Sequence, residues 1–185
     1  ESIAHATTLR PVANSTTVST VARVSTWKSS RFTLHRSKRA ASDGEIDLDA
    51  MDRNLATMAA FARERALSLR PHAKTHKSAW LAQQQMALGA VGVCVQKTSE
   101  AQALAAQGVR NLFISNQVID PRKLARIAAL ARETTLAIAV DSALGIERLA
   151  DAVRAAGATI EVFVEIDVGH GRCGCAPRDA AALAR

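Results

Sequence analysis

Four short apolar runs constrain this 185-residue chain more than any other feature: Val91-Gly92-Val93-Cys94-Val95, Asn111 to Ser115, Leu136 to Val140 and Ile160 to Ile166. Each is followed, after a few residues, by a stretch with helical periodicity. A run of that length, too short for a helix and rich in β-branched residues, reads as a strand buried on both faces. Strands joined through helices by short connections must lie parallel, with right-handed crossovers. The class is therefore α/β.

The periodic stretches carry their own start and stop signals. Leu48, Met51, Leu55, Met58, Ala62, Ala66 and Leu69 recur at spacings of three and four, which predicts an amphipathic helix running to about Ser68. Arg70 to Ala73 reads as a further short strand, because Pro71 cannot donate a helical hydrogen bond. A helix over about Ser78 to Leu88 stops at Gly89-Ala90. Thr98 or Ser99 caps the next, with Glu100 near its positive end, and Gly108 closes it. Asp120-Pro121 opens another with proline at the favoured first position. Ile146, Leu149, Val153 and Ala156 mark the face of a fifth, which ends at Gly157, and Pro177 opens a last one.

Five strand-helix units suit either an open doubly wound sheet or a barrel. The open fold most often announces its ligand by a glycine-rich phosphate loop after the first strand, where this chain has Lys74-Thr75-His76-Lys77. The expectation is therefore a (β/α)8 TIM-type barrel, which takes eight units and about 250 residues. With about five of the eight units present, residues 45–185 read as the N-terminal part of a longer barrel.

Charge separates this region from what precedes it. Residues 1–42 hold seven Lys/Arg against the single acid Glu1, whereas 43–185 hold 17 Lys/Arg against 16 Asp/Glu. The net charge of +7 thus belongs mostly to the first segment and does not describe a binding surface. Residues 1–44, rich in Ser and Thr and without helical or strand period, read as a disordered basic extension. No apolar run approaches the roughly 18 residues of a membrane-spanning helix, and no membrane partner is expected. Aromatic residues make up 3% of the chain, with no tyrosine, which argues against stacking platforms for nucleic acid. Three cysteines, Cys94, Cys173 and Cys175, do not make an even secreted framework, so a reducing cytoplasm is expected. The Cys173-x-Cys175 spacing is too tight for half of a structural zinc site.

In parallel α/β folds the reactive groups sit at the carboxyl ends of the strands. That rule selects His72, Lys74 and His76, then Gln96, Lys97 and Thr98, then Ser115, Asn116 and Gln117, then Asp141 and Ser142, and last Asp167, His170 and Arg172. Arg70 to Lys77 holds two lysines, two histidines and an arginine, which are costly to bury without partners. A solvated basic loop would explain them, and so would a site. A lysine at a strand end suits Schiff-base chemistry when burial and nearby cations, here His72 and Arg70, favour the neutral amine. Alternation along a strand would put His72 and Lys74 on one face. Lys77 reads as a solvent-facing helix residue.

The segment Leu69-Arg70-Pro71-His72-Ala73-Lys74-Thr75-His76-Lys77-Ser78 resembles the cofactor-lysine motif of the D-threonine aldolase and D-serine dehydratase family, relatives of alanine racemase with pyridoxal phosphate fold type III. Two further matches follow in order, Val93 to Ala101 and Val164 to Gly174. The resemblance runs from about Glu45 to Arg185. It implies that Lys74 binds pyridoxal 5'-phosphate covalently and that Arg172 lies near the phenolic oxygen of the ring. Gln96 and His72 would be further cofactor contacts, and His170 an ordinary loop histidine. It implies a lyase acting on D-3-hydroxy amino acids, of D-threonine aldolase type, that yields glycine and an aldehyde and works as a homodimer when full length. It also implies a divalent metal that binds the substrate hydroxyl. The metal ligands are expected in a C-terminal domain and the phosphate loops on later strands, so no metal ligand is assigned here and this chain alone is expected to be inactive.

Three alternatives stand beside the aldolase. The resemblance also covers a dehydratase acting on D-serine or 3-hydroxy-D-aspartate. A non-catalytic protein that carries the cofactor would keep Lys74 and need no metal. Without any resemblance, a barrel whose basic loop holds an acidic metabolite would suit the same residues.

Overall fold

The computed structural model describes residues 47–185 together with the two-residue strand β1, Ser19–Thr20. The expected disordered extension over 1–44 lies, β1 aside, outside the described residues.

Helix α1 spans Leu48–Glu64 and opens with Asp47, whose carboxylate accepts the Ala50 N–H at 2.9 Å. It stops four residues before the predicted end, where Ala66 takes a left-handed φ of 51° and breaks the helical path. The other elements are α2 (Ala79–Ala87), β2 (Val93–Val95), α3 (Thr98–Ala106), β3 (Leu112–Ile114), α4 (Pro121–Ala131), β4 (Leu136–Val140), α5 (Ala143–Ala156), β5 (Glu161–Val164) and α6 (Ala180–Leu183). Side-chain caps start three of these helices: Ser78 on Leu81 N–H, Asp120 on Lys123 N–H and Ser142 on Gly145 N–H. Gly157 ends α5 at φ 59°.

Three further predicted boundaries change. Thr98 and Ser99 are the first residues of α3 rather than its cap. The cap position falls on Lys97, and Glu100 reaches back to accept the N–H groups of Gln96 at 3.0 Å and Lys97 at 3.2 Å. The final helix is a single turn from Ala180, since Pro177 opens a turn over 177–179 instead. The expected strand Arg70–Ala73 reduces to one parallel bridge, His72 to Cys94. Pro71 can offer only its carbonyl, which accepts from Cys94 N–H, and Ala73 returns one N–H to the Cys94 carbonyl before the chain turns away.

All sheet pairings are parallel, in the order β1-β5-β4-β3-β2, with the His72 bridge outside β2. From His72 to β5, spatial order follows chain order without the reversal of a doubly wound sheet. Alternation then divides the strands. Val93, Val95, Leu112, Ile114, Leu136, Ile138, Val140, Val162 and Val164 join one core with Leu104, Leu124, Ile127, Leu149 and Val153 of the helices. The opposite face carries Cys94, Phe113, Ala137, Ala139 and Phe163, none of them in that core. There the rings of Phe113 and Phe163 approach to 4.9 Å between centroids. They can meet because β4, which separates them, contributes only alanines to that face. Helices on one face and residues of mixed size on the other describe part of a barrel wall.

Candidate functional site

The carboxyl ends of the parallel strands gather the polar residues selected above. Three residues after Arg70 the edge segment leaves the sheet in a turn over 73–76, closed by Lys77 N–H on the Ala73 carbonyl at 2.7 Å. Lys74 sits in this turn and is exposed. It takes part in no ion pair among the described residues.

His72 joins Lys74 to the sheet. Its Nδ1 accepts the Lys74 backbone N–H at 3.3 Å, and its Nε2 lies 3.3 Å from Ser115 Oγ at the end of β3. The Ser115 hydroxyl also lies 3.2 Å from the Val95 carbonyl. Burial, and then the charge of Lys74, hold the His72 pKa below its usual 6.5 against the opposing pull of Glu100. His76 is similar: its Nδ1 accepts Ser78 N–H at 3.0 Å, its Nε2 is buried without a partner, and burial lowers its pKa. Burial pushes the Cys94 thiol up, with its contact to Ser115 and the charges of Arg70 and Lys74 opposing.

Two parts of the expected lysine environment differ. Lys74 is exposed rather than buried. Arg70 turns to the other end of the sheet, where its Nη1 donates to the Asn111 carbonyl at 3.1 Å and to Asn111 Oδ1 at 2.8 Å. The cause is spacing: Arg70 lies two residues before the bridge at His72 and so is level with Asn111, the residue before β3. Lys77, expected on a helix, stands in the turn at φ 50°, with its amine 3.9 Å from Glu100.

Gln96 is half-buried at the end of β2 and lines a groove of about 460 Å³ with Asn116 and Gln117 from the end of β3. Beyond β5 the chain makes the turn that presents Arg172. Asp167 Oδ1 accepts three backbone N–H groups, from Gly169 and His170 at 2.9 Å and Gly171 at 3.0 Å. Those bonds, Gly171 foremost, hold its carboxyl below the usual carboxylate range. Arg172 and His170 are both exposed. Contact with Cys173, and then the Glu165 charge, raise the Arg172 pKa further.

Glu165 was not among the residues selected from sequence, yet it organises this corner. One carboxylate oxygen accepts from Gln117 Nε2, and the other accepts from the Cys173 thiol at 3.3 Å. Its position, one residue beyond β5 on the face of Phe163, was the available signal. Asp141, at the end of β4, accepts Gly174 N–H at 3.3 Å.

His72 and Lys74 are thus in direct contact, with Ser115 as a third member. Arg172 lies beyond β5, four strand spacings from Lys74, or about 19 Å along a flat sheet. Among the described residues no three His, Cys, Asp or Glu side chains form a metal-binding group, and no helix is long and apolar enough to cross a membrane.

Residues 46–185 match the family model of the alanine racemase N-terminal domain. A D-threonine aldolase of Arthrobacter is 45% identical over 139 residues, covering 75% of this chain and 36% of the relative. A 3-hydroxy-D-aspartate aldolase of Paracoccus denitrificans is 39% identical over 137 residues, covering 73% and 35%. Among solved structures, a D-threonine aldolase from Filomicrobium marinum superposes with a TM-score of 0.72 at 50% identity, over 74% of this chain and 37% of that one. The chain therefore spans little more than a third of the length of these relatives.

Proposed function

The chain belongs to the alanine racemase N-terminal domain family, and on that premise we propose that it forms the lysine-bearing part of a pyridoxal phosphate site in a lyase acting on D-3-hydroxy amino acids. The observation that carries this reading is the placement of Lys74 and the Arg172 turn. They follow the His72 bridge segment and β5, the first and last of five parallel segments that run in chain order from His72, and in a ring of eight those positions stand opposite each other across one mouth.

The residues present fit the cofactor. Lys74 is exposed and outside any described ion pair, as an amine must be to bond an aldehyde. The Cys94 thiol, which feels the Lys74 charge, is held protonated by burial and so does not compete for that aldehyde. Bound pyridoxal phosphate supplies the electron sink for cleavage at the substrate α-carbon. The chain's own residues do the positioning. Lys74 holds the cofactor, His72 fixes the lysine's backbone, and Arg172 presents a permanent positive charge from the opposite wall. Gln96, with Asn116 and Gln117, lines the rim between the ends of β2 and β3 with amide groups that can orient a substrate. A divalent metal, with ligands elsewhere in the whole protein, and a homodimeric state belong to the same proposal. A cytoplasmic setting is proposed from the three free cysteines.

Support for retro-aldol cleavage over dehydration comes from the higher identity to aldolases, 45% and 39%, than to a D-threo-3-hydroxyaspartate dehydratase of Delftia, 33%. The test is to load the full-length protein with pyridoxal phosphate and supply D-threonine and D-serine, with and without divalent metal. Glycine plus an aldehyde is the expected product of D-threonine, while keto acid from D-serine would move the assignment to a dehydratase. Cofactor binding without turnover would leave a carrier protein. A cofactor absorbance band that survives Lys74→Ala would refute the role of the lysine.

A further inference from the structure

We propose that Ser115 is a positioning residue of this site: through His72 it fixes the place of Lys74, by a chain of hydrogen bonds that allows only one arrangement of protons. The inference rests on the reading of Lys74 as the cofactor lysine, and it adds a residue from another strand to that site.

Proton counting carries it. The Lys74 backbone N–H can only donate, so His72 Nδ1, 3.3 Å away, must present its lone pair. A neutral imidazole with a bare Nδ1 carries its hydrogen on Nε2. That hydrogen points at Ser115 Oγ, 3.3 Å away, which must therefore accept. The Ser115 hydroxyl keeps one hydrogen of its own, and the Val95 carbonyl at 3.2 Å takes it. Every donor then meets an acceptor, from the edge segment across β2 to β3. Reversing the link at His72 would set an Nδ1–H against the Lys74 N–H.

Residue 115 therefore has to accept and donate at once, which a hydroxyl does and a methyl group cannot. Protonation of His72 would break the chain at its other end, because an Nδ1–H would face the Lys74 N–H. The charges that act on the ring are Lys74, which favours the neutral form, and Glu100, which opposes it. The Cys94 backbone also contributes, and the Cys94 thiol touches the same serine hydroxyl.

The turn that carries Lys74 depends on this link. Its other hydrogen bonds are those of Ala73 N–H to Cys94, Lys77 N–H to Ala73, and the Thr75 hydroxyl to the His72 carbonyl at 3.2 Å. Of these, only Lys77 N–H to the Ala73 carbonyl acts on the Ala73–Lys74 peptide, and it leaves the N–H of that peptide to His72. Without the Ser115 hydroxyl the imidazole loses the acceptor for its Nε2–H, and its hold on the Lys74 N–H weakens.

Ser115→Thr and Ser115→Val test the idea as a pair, since they have nearly the same shape and differ in the hydroxyl. Both are made in the full-length protein loaded with pyridoxal phosphate, beside Ser115→Ala. In the wild type and in Ser115→Thr, nitrogen-15 NMR of the histidines should show His72 as the Nε2–H tautomer. In Ser115→Val and Ser115→Ala the two tautomers should mix. The pH midpoint of the cofactor absorbance should shift in those two, and cofactor capture should slow by several-fold to about tenfold, the worth of one hydrogen bond. Equal tautomer, midpoint and capture rate in the Thr and Val variants would overturn the proposal. Lys74→Ala is run alongside: a band that persists there would defeat the lysine reading, while the tautomer result would still decide the link between Ser115 and His72.

Discussion

Replacing Gly174 by alanine should damage the turn that presents Arg172 much more than the same change at Gly171. Gly174 has φ +102°, and a Cβ built there would lie 2.6 Å from the Asp167 nitrogen and 2.7 Å from the Ile166 carbonyl carbon. Those atoms cannot recede, because Asp167 N–H is bonded to the Cys175 carbonyl and Cys175 N–H to the Glu165 carbonyl, each at 2.9 Å. Gly171 has φ +66° with nothing within 4 Å of its Cβ position, so alanine meets only the backbone cost. That cost is about 1–2 kcal/mol for a left-handed non-glycine residue. At Gly174 a sparsely populated backbone region costs about 1–3 kcal/mol, and overpacking against fixed atoms about 1–3 kcal/mol more. With mid-range values the two variants should differ by about 2.5 kcal/mol, a shift of roughly 5–20 °C in Tm. Thermal unfolding measures the difference. Hydrogen exchange at the His170 and Gly171 amides, both bonded to Asp167, reports whether the loss is local. Equal destabilisation by the two variants would refute the steric argument.

Ile138, 1% exposed in the middle of the sheet, should cost about 2–5 kcal/mol as alanine in urea unfolding, against within about 0.5 kcal/mol for Val168→Ala at 59% exposure. Ser142→Ala removes the cap on Gly145 and should cost about 1 kcal/mol, which Ser142→Asn should largely restore. Stability should also depend on pH through two histidines. His72 and His76 have folded pKa values below 6.5, so the unfolded chain binds more protons below that point. Their contribution is complete above pH 6.5 and is lost as pH falls through the lowered folded values. Denaturation midpoints measured from pH 8 to 5 should decline over that window, and the decline should flatten in the His72→Gln, His76→Gln double variant.

Element type was legible in the sequence wherever burial alone determines it. Leu136 to Val140 forms the strand as read, because every one of its residues is buried and no special backbone geometry intervenes. The helix start at Asp120-Pro121 and the stop at Gly157 were equally plain, since each acts on atoms a few residues away. What sequence did not reveal depends on partners distant along the chain. Arg70 was read by its proximity to Lys74, but its preference for Asn111, 41 residues on, follows from strand register. Glu165 resembles any strand-end acid until the turn folds Cys173 back onto it. His72 to Ser115 spans 43 residues and appears only when two strands flank β2.

That distinction also explains why the two walls of the mouth are built differently. The lysine turn carries little hydrogen bonding of its own and borrows its order from β2 and β3, through the Cys94 ladder and Ser115. The arginine turn is closed largely on itself: one carboxylate gathers three of its amides, and a second binds its thiol. On the proposed function, in which Lys74 releases and recaptures a covalent bond, the site gains from that asymmetry. On that reading the position of Lys74 responds to the protonation of a single imidazole, while Arg172 stays on a turn closed by its own hydrogen bonds.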